Sequence, residues 1–258
     1  MTTSNVASAV HSSSKTQFIE EISLVIVAQD LTPTMMSLDF LKFSGIIAKD
    51  WELAQQPVLN PNFALLNFTN GVSINAQPRT ITINEPLNNK KLEETTINRV
   101  AGNYLEKLPH AEYTGLSFSP KILLPFPDAP ESVRQYITGS LLGSGSWKHV
   151  GQGPVQASIN LMYYLARCQL TIAISEARLQ KPQEQPVVAI LFSGSYNYNV
   201  DLGKESPDRV VQMSSFLDNW KSDLEEYRAL INQKFLDSTE VDNNQAVIGT
   251  SLFPGQML

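Results

Sequence analysis

The sequence predicts an α+β protein whose antiparallel sheet is built from two β-α-β-β-β-α repeats with helices on one face. Three observations support this prediction. Strand-like and helix-like runs follow one another in that order twice along the chain. The segment that starts at Trp51 is echoed about 96 residues later by the segment that starts at Trp147, and both end in Pro-Val. The predicted strands alternate apolar and polar residues, which is typical of a sheet covered on one face.

The first repeat is predicted over residues 18–109. A buried strand starts at Glu20, and a short helix follows that is capped by Ser37 or Thr34 and ended by Gly45. The Asn70-Gly71 pair predicts a hairpin with a type I′ turn, because that turn requires positive φ at both central residues. The repeat closes with a strand and an amphipathic helix, predicted over residues 80–84 and 93–108.

The second repeat is predicted over residues 110–236. Asp128-Ala129-Pro130 opens its first helix, and Ser206-Pro207-Asp208 opens its last. The latter combines an N-cap residue, a proline at the first helical position and an acid near the positive end of the helix dipole. The strands of this repeat are predicted over residues 112–118, 155–166, 169–177 and 187–200.

The two ends of the chain are predicted to be disordered tails. Residues 1–17 lack periodicity, and residues 237–258 carry three acids and no base. The second tail nevertheless ends in an apolar segment that contains Leu252 and Phe253. The apolar segment is expected to dock on a partner or on the protein's own sheet; the alternative is that the tail has no role.

The sheet face opposite the helices is predicted to be polar and uncharged. Its hydroxyl and amide side chains can hydrogen-bond a partner at a small desolvation cost. A solvated face of strand-forming residues is the simpler interpretation, and a partner-binding surface is the functional one. The predicted partner-binding residues of this face are Ser73, Asn75, Thr82, Ser193, Ser195 and Asn197.

The last helix carries a seam of apolar residues at alternating steps of three and four. This seam predicts packing on the protein's own sheet or, alternatively, a homodimer formed through the C-terminal helix. The seam consists of Val210, Met213, Leu217, Trp220, Leu224, Tyr227 and Ile231.

No motif in the sequence predicts a catalytic, cofactor or metal site. The glycine-rich loop of residues 143–153 follows a helix, whereas a phosphate-binding loop lies between a strand and a helix. The three histidines are dispersed, and His11 lies in the predicted tail, so they supply no three-histidine metal site. Adjacent acids such as Glu20-Glu21 and Glu225-Glu226 are expected to be solvated, because neighbours in a strand or helix point apart.

Charge and composition argue against several classes of protein. The chain has 19 basic and 25 acidic residues and no basic half, so phosphate neutralisation cannot drive strong nucleic-acid binding. No apolar run approaches the ~20 residues of a membrane span, and residues 1–17 lack the apolar centre of a secretory signal. The single cysteine, Cys168, excludes an internal disulfide. These features predict a cytoplasmic protein without membrane attachment.

Three motifs carry a resemblance to a known family. They are Phe40-Leu-Lys-Phe-Ser-Gly45-Ile, Asp50-Trp-Glu-Leu-Ala-Gln-Gln-Pro57-Val and Phe68-Thr-Asn-Gly71-Val-Ser-Ile. Over about residues 20–236, the chain resembles an uncharacterised conserved family of cyanobacterial proteins. The resemblance implies a bacterial cytoplasmic setting and assigns no chemistry to any residue. The predicted architecture also resembles the duplicated saddle of the TATA-box-binding-protein class, in topology alone.

We therefore expect a non-enzymatic scaffold or accessory factor that binds another protein through the polar sheet face, the last helix or the C-terminal tail. The alternative is a small-molecule-binding protein or enzyme that uses a cleft between the two repeats, near Trp51, Trp147 and His149.

Overall fold

The computed structural model describes residues 18–87, 90–127, 129–180 and 185–236. These residues form one nine-stranded sheet, in which all neighbouring strands run antiparallel, together with five α-helices. The strands are β1 Ile19–Ala28, β2 Val58–Asn60, β3 Phe63–Asn67, β4 Ser73–Gln77, β5 Thr80–Pro86, β6 Tyr113–Pro125, β7 Ser158–Tyr164, β8 Gln169–Leu179 and β9 Val187–Asn199. The helices are α1 Leu38–Phe43, α2 Ile97–Lys107, α3 Pro130–Gln135, α4 Ser206–Leu217 and α5 Trp220–Leu230. The predicted α+β class is confirmed.

The strand order, β2-β3-β4-β5-β1-β6-β9-β8-β7, is symmetric about the central β1–β6 pair. Each half supplies a strand, a helix, three further strands and closing helical structure, and the first half adds β2 at its outer edge. Ser23 and Ser119 face each other across β1 and β6 and are 96 positions apart. A twofold axis through this pair would relate each β1 residue to the β6 residue 96 positions later. Trp51 and Trp147 are separated by the same distance in the chain.

The two tryptophans nevertheless have different surroundings. Trp51 is buried and packs edge-to-face on Phe68, with 5.0 Å between the ring centroids. Trp147 lies in a short 3₁₀ turn and is 37% exposed. The sequence echo therefore marks equal spacing along the chain, but not equal packing of the two rings.

The helices pack on one face of the sheet, where they build the main hydrophobic core. Ile22, Leu24, Phe118 and Phe192 on the strands share this core with helix residues such as Val100, Met213 and Leu224. We call this side of the sheet the covered face. Its side chains alternate along each strand with those of the opposite side, which we call the open face.

The predicted C-terminal helix consists of α4, α5 and a closing π-helical turn over Ile231–Leu236, and α4 and α5 meet at Asp218 and Asn219. The N-cap position of α4 is Glu205 rather than the predicted Ser206. Val210 of the seam is partly buried, and the other six seam residues are buried in the main core. The seam thus covers the chain's own sheet. A homodimer through this helix would have to use its outer side, where Val211 is 69% exposed.

The hairpin predicted at Asn70-Gly71 is present between β3 and β4, but the predicted type I′ turn is wrong. Gly71 has a φ of 87°, whereas Arg79 is the only described non-glycine residue with a positive φ. The Phe68 N–H donates to the Val72 carbonyl, and the Gly71 N–H donates to the Phe68 carbonyl. This pattern is typical of a three-residue loop with glycine in the left-handed region, so Asn70 needs no positive φ.

The strand predicted over residues 112–118 is longer in the structure, because β6 continues through Pro120 to Pro125. Pro120 lacks an N–H, and the ladder between β6 and β9 is interrupted there while the ladder to β1 is maintained. Gly194 of β9 stands beside this position. A Cβ on Gly194 would lie 2.6 Å from the Tyr227 ring, so the glycine leaves the space that Tyr227 fills.

Candidate functional site

The open face brings together the six strand residues that were predicted to bind a partner. Opposite residues of an antiparallel pair share a face, so the register places these side chains in rows across the sheet. Ser73 lies opposite Asn84, Asn75 opposite Thr82, Ser193 opposite Lys121, Ser195 opposite Thr171, and Asn197 opposite Ser117 and Gln169. Leu252 and Phe253 lie outside the described residues, as do both predicted tails and Asp128.

A central polar row crosses six neighbouring strands of the open face. It consists of Ser73, Asn84, Ser23, Ser119, Ser195 and Thr171. On the first-half side, Ser23 Oγ donates to Asn84 Oδ1 at 2.7 Å, and Asn84 Nδ2 donates to Ser73 Oγ at 3.1 Å. On the other side, Ser119 Oγ donates to Ser195 Oγ at 3.4 Å. The first half thus contributes linked hydroxyl and amide groups to this row, and the second half contributes hydroxyl groups.

Asn197 anchors a second set of linked groups on the open face. Its Oδ1 accepts from Ser117 Oγ at 2.7 Å and from Ser195 Oγ at 3.0 Å, and its Nδ2 donates to the Ser195 carbonyl at 3.3 Å. These bonds fix the amide orientation before any partner arrives. A side chain that is already ordered loses less conformational entropy on binding, so the arrangement suits recognition.

The open face is almost free of charge. Among the described strand residues, its ionised side chains are Glu21 and Lys121, which face each other on β1 and β6. Lys121 Nζ and Glu21 Oε1 are 2.7 Å apart. The pair neutralises itself and leaves the surrounding hydroxyl and amide rows uncharged.

One end of the open face is apolar, so the predicted uniformly polar face is wrong there. Ile19, Leu123, Leu179 and Ala189 form a separate buried cluster with the partly buried Ala177, Val187 and Leu191. The prediction failed because β6 was expected to end at Phe118. Its continuation past Pro120 brings Leu123 opposite Ile19 and Leu191.

The covered face holds several ionised side chains that the sequence did not reveal. Glu20 was expected to be solvated, but it is 6% exposed and forms a two-pronged ion pair with Arg228 at 2.8 and 2.5 Å. Glu226 was also expected to be solvated, and it accepts from Arg167 at 2.9 Å. The partners are 208 and 59 positions away, so no local pattern could have shown them.

Glu85 is fully buried at the N-terminus of α2. Its Oε2 accepts from the Thr96 and Ile97 N–H groups, each at 2.8 Å, and its Oε1 pairs with Lys90 at 3.0 Å. A carboxylate is well placed there because the first N–H groups of a helix have no partner within the helix. Glu85 therefore has a structural role that explains its burial.

Asp223 of α5 is fully buried beside Arg167 and Tyr198. Arg167 Nη2 donates to Oδ1 at 2.7 Å, and the Tyr198 hydroxyl donates to Oδ2 at 2.6 Å. Burial raises the pKa of the Asp223 carboxyl, and these two hydrogen bonds oppose the rise. Burial also raises the pKa of the neighbouring Cys168 thiol, which favours the unreactive protonated form.

The geometry gives little support to a ligand cleft at Trp51, Trp147 and His149. Trp51 is buried on Phe68, whereas Trp147 is partly exposed in the 3₁₀ turn that also contains His149. A groove of about 250 Å³ does exist at the junction of the two halves, but it is lined by other residues, including Asp30, Tyr104 and His110. Pockets for drug-sized ligands usually measure about 300–1,000 Å³.

Two further observations concern metals and membranes. Within the described ranges, no group of three or more His, Cys, Asp and Glu side chains is placed to hold a metal ion. In the same part of the chain, no helix has the length and apolarity needed to cross a bilayer.

The comparisons with known proteins add no family. No protein-family model matches the chain, and no curated protein matches it at a significant level. The resemblance to a cyanobacterial family and to the TATA-box-binding-protein saddle therefore stays a prediction.

Proposed function

We propose that the protein is a non-enzymatic scaffold or accessory factor that binds another protein through the open face. The observation that carries this proposal is the set of hydrogen-bonded, uncharged side chains that runs across both halves of the sheet. The cores of protein–protein interfaces are depleted in charged residues. The open face has this property over most of its width.

A protein partner fits this surface better than a nucleic acid does. Phosphate groups attract unpaired lysine or arginine side chains, and Lys121, the one base among the described strand residues of the open face, is paired with Glu21. Hydroxyl and amide groups instead match the carbonyl and N–H groups of a polypeptide. At the apolar end, the partly buried Val187 and Leu191 supply contact area of the kind that anchors an interface. The proposed setting is the cytoplasm.

Capture from native lysate tests the proposal. The bait is the full-length chain, compared with the double variant Asn75→Lys/Asn197→Lys, which places one new charge on each half of the open face. We expect the wild-type chain to retain a protein in near-stoichiometric amount and the variant to lose it. The reason is that each lysine would have to lose its hydration inside the interface.

The matched control is Val211→Lys/Ser214→Lys, which adds the same charge to exposed positions of α4. This control should retain the partner as the wild type does. Thermal unfolding of all three chains verifies that they fold alike. Equal retention by the wild type and by the Asn75→Lys/Asn197→Lys chain would disprove binding through the open face, and so would the absence of any retained protein.

A further inference from the structure

The two outer edges of the sheet differ in how well they are protected. The first edge strand, β2, has three residues and lies between Pro57 and Pro61. Short edge strands and prolines prevent another strand from adding to a sheet, because proline has no N–H to donate. The short length of β2 and its flanking prolines therefore protect this edge from pairing with another strand.

The other edge strand, β7, lacks these protections. It has seven residues, contains no proline, and pairs with β8 alone among the described strands. The surrounding stretch from Val150 to Ala166 contains no Asp, Glu, Lys or Arg. Charged side chains, lysine above all, are the usual means of blocking an edge. An edge of this length without them offers its free backbone groups to a new strand.

The side chains of β7 also leave apolar surface uncovered. On the open face, Met162 is 56% exposed and Tyr164 is 82% exposed. On the covered face, Ile159, Leu161 and Tyr163 pack against the core but remain only partly buried. A neighbouring strand of similar composition would bury more of the apolar side chains on both faces of β7.

We propose that β7 pairs antiparallel with β7 of a second copy of this chain, around a twofold axis at Leu161. The pattern of the strand is self-complementary in this register. Leu161 would face Leu161 of the other copy, and Ile159 would face Tyr163, so the covered face would gain a continuous apolar row. On the open face, Asn160 would face Met162, and Ser158 would face Tyr164. The Ile159–Tyr163 pair joins a β-branched and an aromatic side chain, a combination that stabilises paired strands.

A second copy suits this edge because the pairing brings no like charges together. Leu161 would face its own copy, and a charge at Leu161, Asn160 or Met162 would lie close to the identical charge of the other copy; opposed like charges destabilise a strand pair. A twofold contact also uses the same patch on both molecules, which matches the self-complementary pattern. The pairing does not depend on the proposed function, because the edge backbone and the open-face rows are different surfaces.

A charge-swap experiment tests this pairing with the full-length chain. Asn160 and Met162 are both exposed, so Asn160→Lys/Met162→Lys should leave the fold intact while it places lysines opposite lysines. At about 50 µM, where a complex with a Kd of about 1 µM is largely assembled, light scattering should give the wild type twice the 28.6 kDa chain mass. The lysine variant should give the single-chain mass.

The complementary variant, Asn160→Glu/Met162→Glu, should also be a monomer by itself. A mixture of the lysine and glutamate variants should restore the dimer, because each lysine introduced into one copy then faces a glutamate introduced into the other. The control Val58→Lys/Leu59→Lys adds two lysines to the opposite edge, at positions that are 44% and 47% exposed, and should remain dimeric.

Several results would overturn the proposal. They are a monomeric wild type, an unchanged dimer in the lysine variant, or a mixture that stays monomeric. A monomeric wild type that retains a foreign protein through Asn160 and Met162 would assign the edge to a different chain. If the wild-type chain retains no protein from lysate but still forms the dimer, the proposed function alone is refuted and this pairing remains supported.

Discussion

Each half of the described chain has one carboxylate that is completely buried on the covered side of the sheet, Glu85 on β5 and Asp223 on α5, but the two are stabilised by different means. Glu85 in the first half accepts from backbone N–H groups of α2, only 11 and 12 positions away. Asp223 in the second half depends on Arg167, 56 positions away, and on the hydroxyl of Tyr198. The first arrangement is built from local backbone N–H groups and the nearby Lys90, and the second from side chains that are more distant in the sequence.

This difference shows how a buried charge can be tolerated in two ways. Backbone N–H groups at a helix start are held in place by the helix, so the Glu85 site needs little further ordering. The Asp223 site requires an arginine side chain to be fixed, and the side chain of Arg167 is 33% exposed to water. We therefore expect the first site to contribute more to stability than the second.

The largest expected effect comes from Glu85→Ala. The change removes an acceptor of two backbone hydrogen bonds and leaves the first N–H groups of α2 without their partner. We expect a loss of about 3 kcal/mol in the free energy of unfolding, measured by urea denaturation. Glu93→Ala, at a nearby exposed position, should change it by less than about 0.5 kcal/mol. Equal effects of the two changes would contradict the assigned role of Glu85.

Arg167→Met should have the next largest effect. It leaves the buried Asp223 carboxylate without its cation, and partial exposure of Arg167 limits the cost to about 2 kcal/mol. Adding Asp223→Asn to this variant should recover part of the loss, because the charge that needed the arginine is then gone. Additive effects of the two substitutions would show that the pair is not coupled.

The pH dependence of stability should also depend on Asp223. Because burial raises its pKa above the usual 3.8, the folded chain binds this proton more readily than the unfolded chain does. Stability from this group therefore rises as the pH falls through the folded pKa toward 3.8. The difference in unfolding free energy between the wild type and Asp223→Asn should shift in favour of the wild type from about pH 7 to about pH 4. A shift in the opposite direction would mean that Arg167 outweighs burial.

The smallest effects are expected at the centre of the open face. Ser23 is 3% exposed and donates to Asn84 at 2.7 Å, whereas Ser119 is partly exposed and donates to Ser195 at 3.4 Å. Ser23→Ala should cost about 1 kcal/mol and Ser119→Ala about 0.5 kcal/mol. If thermal unfolding showed a larger loss of stability for Ser119→Ala than for Ser23→Ala, the difference in burial and hydrogen-bond length between the two serines would not control their contributions.

Local patterns in the sequence were sufficient for most elements and for the polar rows of the open face. The alternation of Ser73 and Asn75 with buried residues, for example, correctly predicted which side they occupy. The apolar end was missed because β6 was expected to end at Phe118, whereas it continues to Pro125. The buried acids were missed because their environment depends on α2, Arg167 and Arg228, which only the folded chain brings near them. Edge positions depend on strand order, which local periodicity does not reveal.

The central β1–β6 ladder has a consequence for any attempt to separate the two halves. The halves share one continuous sheet, so a cut between residues 109 and 110 would create two new edges, at β1 and at β6. Each edge would carry long apolar strands with unsatisfied backbone groups, which promote aggregation. Produced separately, the fragments should be insoluble. Produced together, they should reassemble across the original ladder, and this would make the chain suitable for a split-protein reporter.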